Sequence, residues 1–261
     1  MGGSVAVRVY AELNDLLAPS RRGRWVEHEV TGSLAIRDVV ERMGVPHTEV
    51  DLILVNGSSA GLDDRVGGGD RVSVFPVFGS LDVSTVQQVR PKPLHRSAFV
   101  LDVHLGRLAR YLRMLGFDSL YRRDADDADL VRLAGGQRIL LTRDRGLLKR
   151  RAVTHGYLVR PRHPQDQAAE VLRRFDLAGQ ITPFVRCLSC NEPLTPLPRE
   201  AVPESVPIRV RELHDEFARC SGCDRVFWKG THHRAMVETI AAIAREAMAV
   251  SPRRLEPEAR G

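Results

Sequence analysis

Lysine is almost absent from this 261-residue chain: Lys92, Lys149 and Lys229 are its only lysines, so the 39 basic residues are nearly all arginine. Arginine keeps its charge at any biological pH and presents a planar fork of donors, which favours carboxylate and phosphate partners over proton-transfer chemistry. Codon bias would produce the same composition. The sequence has no run of 18 apolar residues, which excludes a helical membrane span. The opening residues, MGGSVAVRVY, lack a charged segment followed by an apolar block, so the expectation is no secretory signal and a cytoplasmic location. Cysteine is scarce as well. All four cysteines lie in two Cys-x-x-Cys pairs, and in a reducing compartment that pattern favours metal over disulfides.

What is present is ordinary for a globular protein, with 43% apolar and 28% charged residues and length for two domains plus a small third module. The net charge of +6 is unevenly shared. Residues 1–80 carry 8 Lys/Arg against 11 Asp/Glu, and the remainder carries 31 against 22. A basic C-terminal two-thirds suits a polyanionic partner such as nucleic acid.

Residues 1–80 predict a small α+β domain. Val5, Val7 and Val9 alternate along one strand, and Trp25–Val30 alternates likewise. Ser33 is placed to cap a helix whose apolar positions are Ile36, Val39, Val40 and Met43. Leu52–Gly57 reads as a strand entering an Asn-Gly turn, Gly67–Gly69 as a turn, and Arg71–Val77 as the last strand. This order resembles the β-grasp sulfur carriers, whose chemistry needs a free Gly-Gly carboxylate. Here Gly79 is followed by Ser80 and a long further chain. An interaction or scaffolding role is therefore expected, with a possible protein partner. Pro91 and Pro93 mark a linker over residues 81–96.

From residue 97 short apolar runs alternate with helical patterns, which predicts an α/β domain with a parallel, doubly wound sheet over 97–182. FVLD ends on Asp102, and LLTRD ends on Asp144. Side chains just past neighbouring parallel strands converge on one crevice. Between these strands, Leu105, Leu108, Leu112 and Leu115 form an apolar helical stripe, and Arg107, Arg110 and Arg113 form a basic one. DADDADL adds further acids, with Asp127 as the expected N-cap of the next helix. Acids at a helix start often only complement its dipole. The chemistry reading gives Asp102, Asp127 and Asp144 as ligands of Mg²⁺ or Mn²⁺, with Asp124 ranked ahead of Asp126 and Asp129 as a fourth. Arg107, Arg110, Arg143 and Lys149 are the candidates for binding phosphate.

Residues 183–250 contain CLSC (Cys187, Cys190) and CSGC (Cys220, Cys223). Two such knuckles close a tetrahedral zinc site, and four thiolates leave no open position, so that zinc would be structural. A helix follows, and residues 251–261 read as a flexible tail.

Taken in order, FVLDVHLGRLARYLRMLGFDSLY, LLTRDRGLL, RCLSCN and CSGCDRVFWKGTHHRAM resemble the Mut-seven C-terminal RNase family over about Ala98 to Ile240. The resemblance implies a PIN-like nuclease domain with an appended zinc ribbon, in some members preceded by a β-grasp, ubiquitin-like domain. It implies metal-dependent cleavage of RNA by an acidic cluster. Asp102 and Asp144 match the family's strand-end acids, Asp127 matches within a run of neighbouring acids, and His232 matches a position without a derivable role. Two alternatives belong to other classes. One is a non-catalytic RNA- or ribosome-binding zinc-ribbon protein, with tRNA another possible RNA partner. The other, a haloacid-dehalogenase-type phosphotransferase, needs a second acid where His104 stands.

Overall fold

The computed structural model describes residues 2–76, 88–89 and 98–249. Most of the linker expected at 81–96, Gly79 and the tail expected at 251–261 lie outside the described residues. By contacts the described residues form two units: one holds residues 2–76, 88–89 and 144–158, the other 98–143 and 159–249.

The first unit opens with β1 (Gly2–Val9) and β2 (Val26–Thr31), then β3 (Leu34–Ala35), α1 (Ile36–Arg42), β4 (Leu52–Val55), β5 (Ser58–Ser59), β6 (Arg65–Val66) and β7 (Arg71–Phe75). The main sheet runs β2-β1-β7-β4-β5, with β1 and β7 parallel and the other pairs antiparallel. The strand, strand, helix, strand, strand order of a β-grasp is therefore observed. Val5, Val7 and Val9 are buried, as are Ile36, Val39, Val40 and Met43, so the alternation and the helical spacing both point into one core. Asn56 and Gly57 adopt the left-handed conformations (φ 51° and 88°) that a tight hairpin between β4 and β5 requires. Ser33 does not cap α1. Its hydroxyl accepts from Arg65 Nε at 2.8 Å, and the helix begins at Ile36 without a side-chain cap, because residues 34–35 are drawn into pairing with β6.

The second unit begins with β8 (Phe99–Leu101), α2 (Gly106–Met114), β9 (Ser119–Tyr121), α3 (Asp127–Ala134) and β10 (Ile139–Thr142). Strands β10, β8 and β9 are adjacent and parallel. Every residue of β8 and of β10 is buried, which is why both read as continuous apolar runs rather than alternating ones. Leu105, Leu108, Leu112 and Leu115, along α2 and at its two caps, are all buried. Gly116 ends that helix at φ 101°, and a Cβ there would lie 2.2 Å from Thr182 O, so only glycine fits. Next come α4 (Arg145–Leu148) and β11 (Gly156–Leu158), which group by contacts with the first unit.

The chain returns to the second unit with α5 (Pro164–Arg174), which packs on α2, then β12 (Leu194–Leu197), α6 (Ile208–Leu213), β13 (Phe217–Cys220), β14 (Val226–Trp228) and α7 (Thr231–Met248), which packs on α5. Strands β12, β13 and β14 form an antiparallel sheet of their own over a small core of Val202, Val206 and Phe217. No helix among the described residues is long and apolar enough to cross a membrane.

Candidate functional site

Asp102 leaves the carboxyl end of β8 and is 7% exposed. Its backbone N–H continues the ladder to Leu141 O at 3.0 Å. One carboxylate oxygen accepts the Thr142 hydroxyl at 2.5 Å, and the other accepts the His104 amide at 3.2 Å. Two donors occupy only part of the acceptor capacity of a carboxylate, which has about four lone-pair directions. The rest is available to a hard cation, so a buried acid aimed by a strand-end hydroxyl fits a divalent-metal ligand. Gly106, at the start of α2, leaves room for the Tyr121 ring, which a Cβ would meet at 2.8 Å, and Tyr121 Oη donates to Val103 O at 3.0 Å. The turn that follows Asp102 is thereby pinned from β9.

Asp144 stands two residues past the end of β10 and caps α4, accepting the Gly146 amide at 2.7 Å. In the acidic run the expected N-cap is displaced by one residue. Asp126 caps α3 by accepting from Asp129 N at 2.8 Å, and Asp127 is the first helical residue, half-buried. Two overlapping acid pairs, three residues apart, make both registers plausible in sequence, and the backbone amide that is free to be capped selects one. Asp129 is committed to Arg132 at 2.6 Å, and that hydrogen bond holds its carboxyl below the usual carboxylate range. Asp124 is exposed.

The basic candidates divide. Arg107 and Arg110 are exposed on α2. Arg143 is exposed and donates to Pro161 O at 2.9 Å. Lys149 places its ammonium 2.7 Å from Glu41 O, so it is engaged with backbone. Arg113 is not part of a solvated stripe: it is 3% exposed. Its guanidinium donates to Ser119 O at 2.9 Å, to Leu188 O at 3.2 Å and to Ser189 O at 2.8 Å. Burial lowers its pKa, opposed by the field of Cys187, Cys190 and Asp118.

Leu188 and Ser189 are the middle of the first Cys-x-x-Cys, so Arg113 grips the knuckle from beneath. A second link is Asn191, whose carbonyl oxygen accepts the Ser119 amide at 2.8 Å and whose amide nitrogen donates to Asp118 at 2.7 Å. Arg138 then holds Asp118 with two bonds, at 2.7 and 2.9 Å, and reaches Phe99 O at 3.1 Å. Burial works to raise the Asp118 pKa, but the Arg138 and Asn191 hydrogen bonds outweigh it and keep the carboxyl below its ordinary range. Sequence reading missed this network, although RCLSCN carries its signal in the residue after the second cysteine. Exchange of Arg113 for Met keeps the apolar stem but orphans three carbonyls, and should cost about 3 kcal/mol. A lowered denaturant midpoint with an unchanged m-value is the expected reading.

The two knuckles share one backbone pattern. Cys187 N donates to Glu192 O and Asn191 N to Cys187 O; Cys220 N donates to Arg225 O and Asp224 N to Cys220 O. Asn191 (φ 77°) and Asp224 (φ 63°) both take left-handed conformations, which Asn and Asp tolerate best among residues with a Cβ. The four sulfurs all lie within 4.8 Å of one another. A tetrahedral zinc with Zn–S bonds of about 2.3 Å would set them about 3.8 Å apart, so cluster size and soft donors both fit. Burial pushes the Cys190 thiol up to about 12. At Cys220 burial also acts upward, but the Cys223 amide and neighbouring hydrogen bonds prevail and bring it down to about 7. His232 is exposed, whereas the adjacent His233 ring packs 4.9 Å from Phe184.

Comparison with curated proteins returns no match. Residues 97–240 match the family model of the Mut7-C RNAse domain, and residues 2–82 match that of the Mut7-C ubiquitin domain. The first match spans more than half of the 261 residues, and with the β-grasp unit ahead of it the chain belongs to the Mut7-C RNAse domain family.

Proposed function

We propose that this protein is a metal-dependent ribonuclease of PIN-like architecture, with Asp102, Asp127 and Asp144 as the acids of its active site. The observation that carries this reading is Asp102: a buried carboxylate at a strand end, held by Thr142, within an RNAse family domain. Mg²⁺ or Mn²⁺ held by these acids would activate a water and neutralise charge on the scissile phosphate. The chain's own part is to orient and to bind. Thr142 fixes the Asp102 carboxylate, the Gly146 amide fixes that of Asp144, and exposed Arg107, Arg110 and Arg143 offer bidentate contacts to phosphates. The four cysteines hold a structural zinc and take no part in hydrolysis. RNA is the substrate class, and the location is the cytoplasm.

The test is incubation of the purified protein with total RNA in Mn²⁺ or in EDTA, alongside Asp144→Asn. Cleavage is expected in Mn²⁺ with the unaltered chain alone; RNA left intact in every arm would overturn the reading. Thr142→Val removes the hydroxyl that orients Asp102 while preserving shape. Its cleavage rate should fall about 10- to 100-fold, the usual cost of losing a partner that orients a metal ligand. A Mn²⁺ titration of initial rates should show half-saturation moving to higher metal concentration.

A further inference from the structure

We infer that the ubiquitin-like domain is a support, acting within its own chain, for the segment that carries Asp144. The inference rests on the reading of Asp144 as an active-site acid.

Helix α4 has four residues, far short of what holds a helix by itself, so its position depends on tertiary contacts. Both of its ends are tied to backbone of the β-grasp. Arg145, its first residue, donates to Leu16 O at 3.0 Å, and Lys149, its C-cap, donates to Glu41 O at 2.7 Å. Asp144 is the N-cap of the same helix, so anchors at the two ends set where its carboxylate stands.

The remainder of the segment is held the same way. His47 lies between Glu41 Oε1, 2.7 Å from Nδ1, and Val153 O, 2.9 Å from Nε2. The ring is thus bonded at both nitrogens, to a side chain of the β-grasp on one edge and to the backbone of residue 153 on the other. Glu49 accepts the Leu158 amide at 2.5 Å and is 1% exposed. Asp63 takes Arg151 at 3.3 Å and Arg37 at 3.4 Å. A buried carboxylate and a buried imidazole are costly unless hydrogen-bonded, and these two find partners in residues 153 and 158. A β-grasp built to work as a detachable module would leave His47, Thr48 and Glu49 in water. In this chain they are buried. Arg145 and Lys149, at the two ends of α4, therefore act as positioning residues, and Lys149 belongs to this support rather than to phosphate binding.

The experiment uses the full chain, with hydrogen exchange followed by mass spectrometry and RNA cleavage in Mn²⁺ measured on the same preparations. In Glu49→Ala, amides across 145–158 should exchange at least about tenfold faster while those of β1 and β7 keep their protection. Its kcat should fall about tenfold with KM for RNA little changed, since the groups proposed to bind RNA are untouched. Glu49→Gln retains an oxygen that accepts the Leu158 amide and should restore most of both signals. If Glu49→Ala loses protection throughout, Arg145→Met, at an exposed side chain, carries the same comparison. Unmoved exchange over 145–158 in both variants, or faster exchange with wild-type kcat, would overturn the inference. An unaltered chain that leaves RNA uncut would defeat the nuclease reading instead, and exchange alone would then decide whether the domain holds the segment.

Discussion

Asp102→Asn should lower the rate of RNA cleavage by about a thousandfold or more while leaving the fold intact. The substitution is nearly isosteric. The remaining side-chain oxygen can still accept the His104 amide, and the new NH₂ faces the Thr142 hydroxyl, which can accept as readily as it donates. What is lost is the negative charge at a buried strand end. Metal-assisted stabilisation of a phosphoryl transition state contributes several kcal/mol. At about 1.4 kcal/mol per factor of ten, losing a ligand worth 4 kcal/mol is about a thousandfold. Initial rates in Mn²⁺, with circular dichroism and exchange protection of β8 and β10 as controls, check the prediction. Cleavage at the wild-type rate would remove Asp102 from the active site.

Stripping the metal proposed for the cysteine cluster, or replacing Cys187 or Cys220 by Ser, should unfold the ribbon and loosen the sheet beside it. Structural zinc contributes about 10–16 kcal/mol to zinc-finger peptides near neutral pH, as much as the whole stability of an ordinary domain of about 5–15 kcal/mol. The small core under β12, β13 and β14, with Val202, Val206 and Phe217 buried, is too slight to replace it. The loss should spread in a defined direction. Arg113 and Asn191 join the first knuckle to Ser119 and Asp118, and Arg138 joins Asp118 to Phe99 O, so β9 and then β8 lose their neighbour. Exchange should therefore accelerate most in residues 187–228, next in β9, and least in β1 and β7. Release of one zinc per chain to a colorimetric chelator should accompany the change. A chain whose exchange pattern is indifferent to chelator and to Cys187→Ser would have four free thiols and no structural metal.

Much of the architecture is legible in the residue order because it depends on short-range periodicity. Alternating valines in β1, unbroken apolar runs in β8 and β10, and the leucine stripe of α2 each follow from one repeat distance and one buried face. The cysteine pairs are legible for a similar reason: a knuckle is a local loop, and two thiols two residues apart leave few other uses.

The misreadings arise where a local rule allows two outcomes. Arg107, Arg110 and Arg113 look like one stripe, yet each step of three residues falls about 60° short of a full turn. By Arg113 the side chain has rotated about 120° away from Arg107 and lies beneath the helix, at the knuckle carbonyls. The run DADDADL offers caps in two registers, and one backbone amide chooses Asp126.

The sequence alone determined the β-grasp order, the parallel strands that end near Asp102 and Asp144, and the thiolate set, since each is assembled from elements whose own spacing is short-range. Only the tertiary structure decided what Arg113, Asn191, His47 and Glu49 do. Arg113 and Asn191 find partners more than seventy residues away, and His47 and Glu49 meet Val153 and Leu158 across separations of 106 and 109 residues. Contacts at that range leave no period in the chain, because burial and hydrogen-bond satisfaction become defined only once the folded backbone brings the partners together.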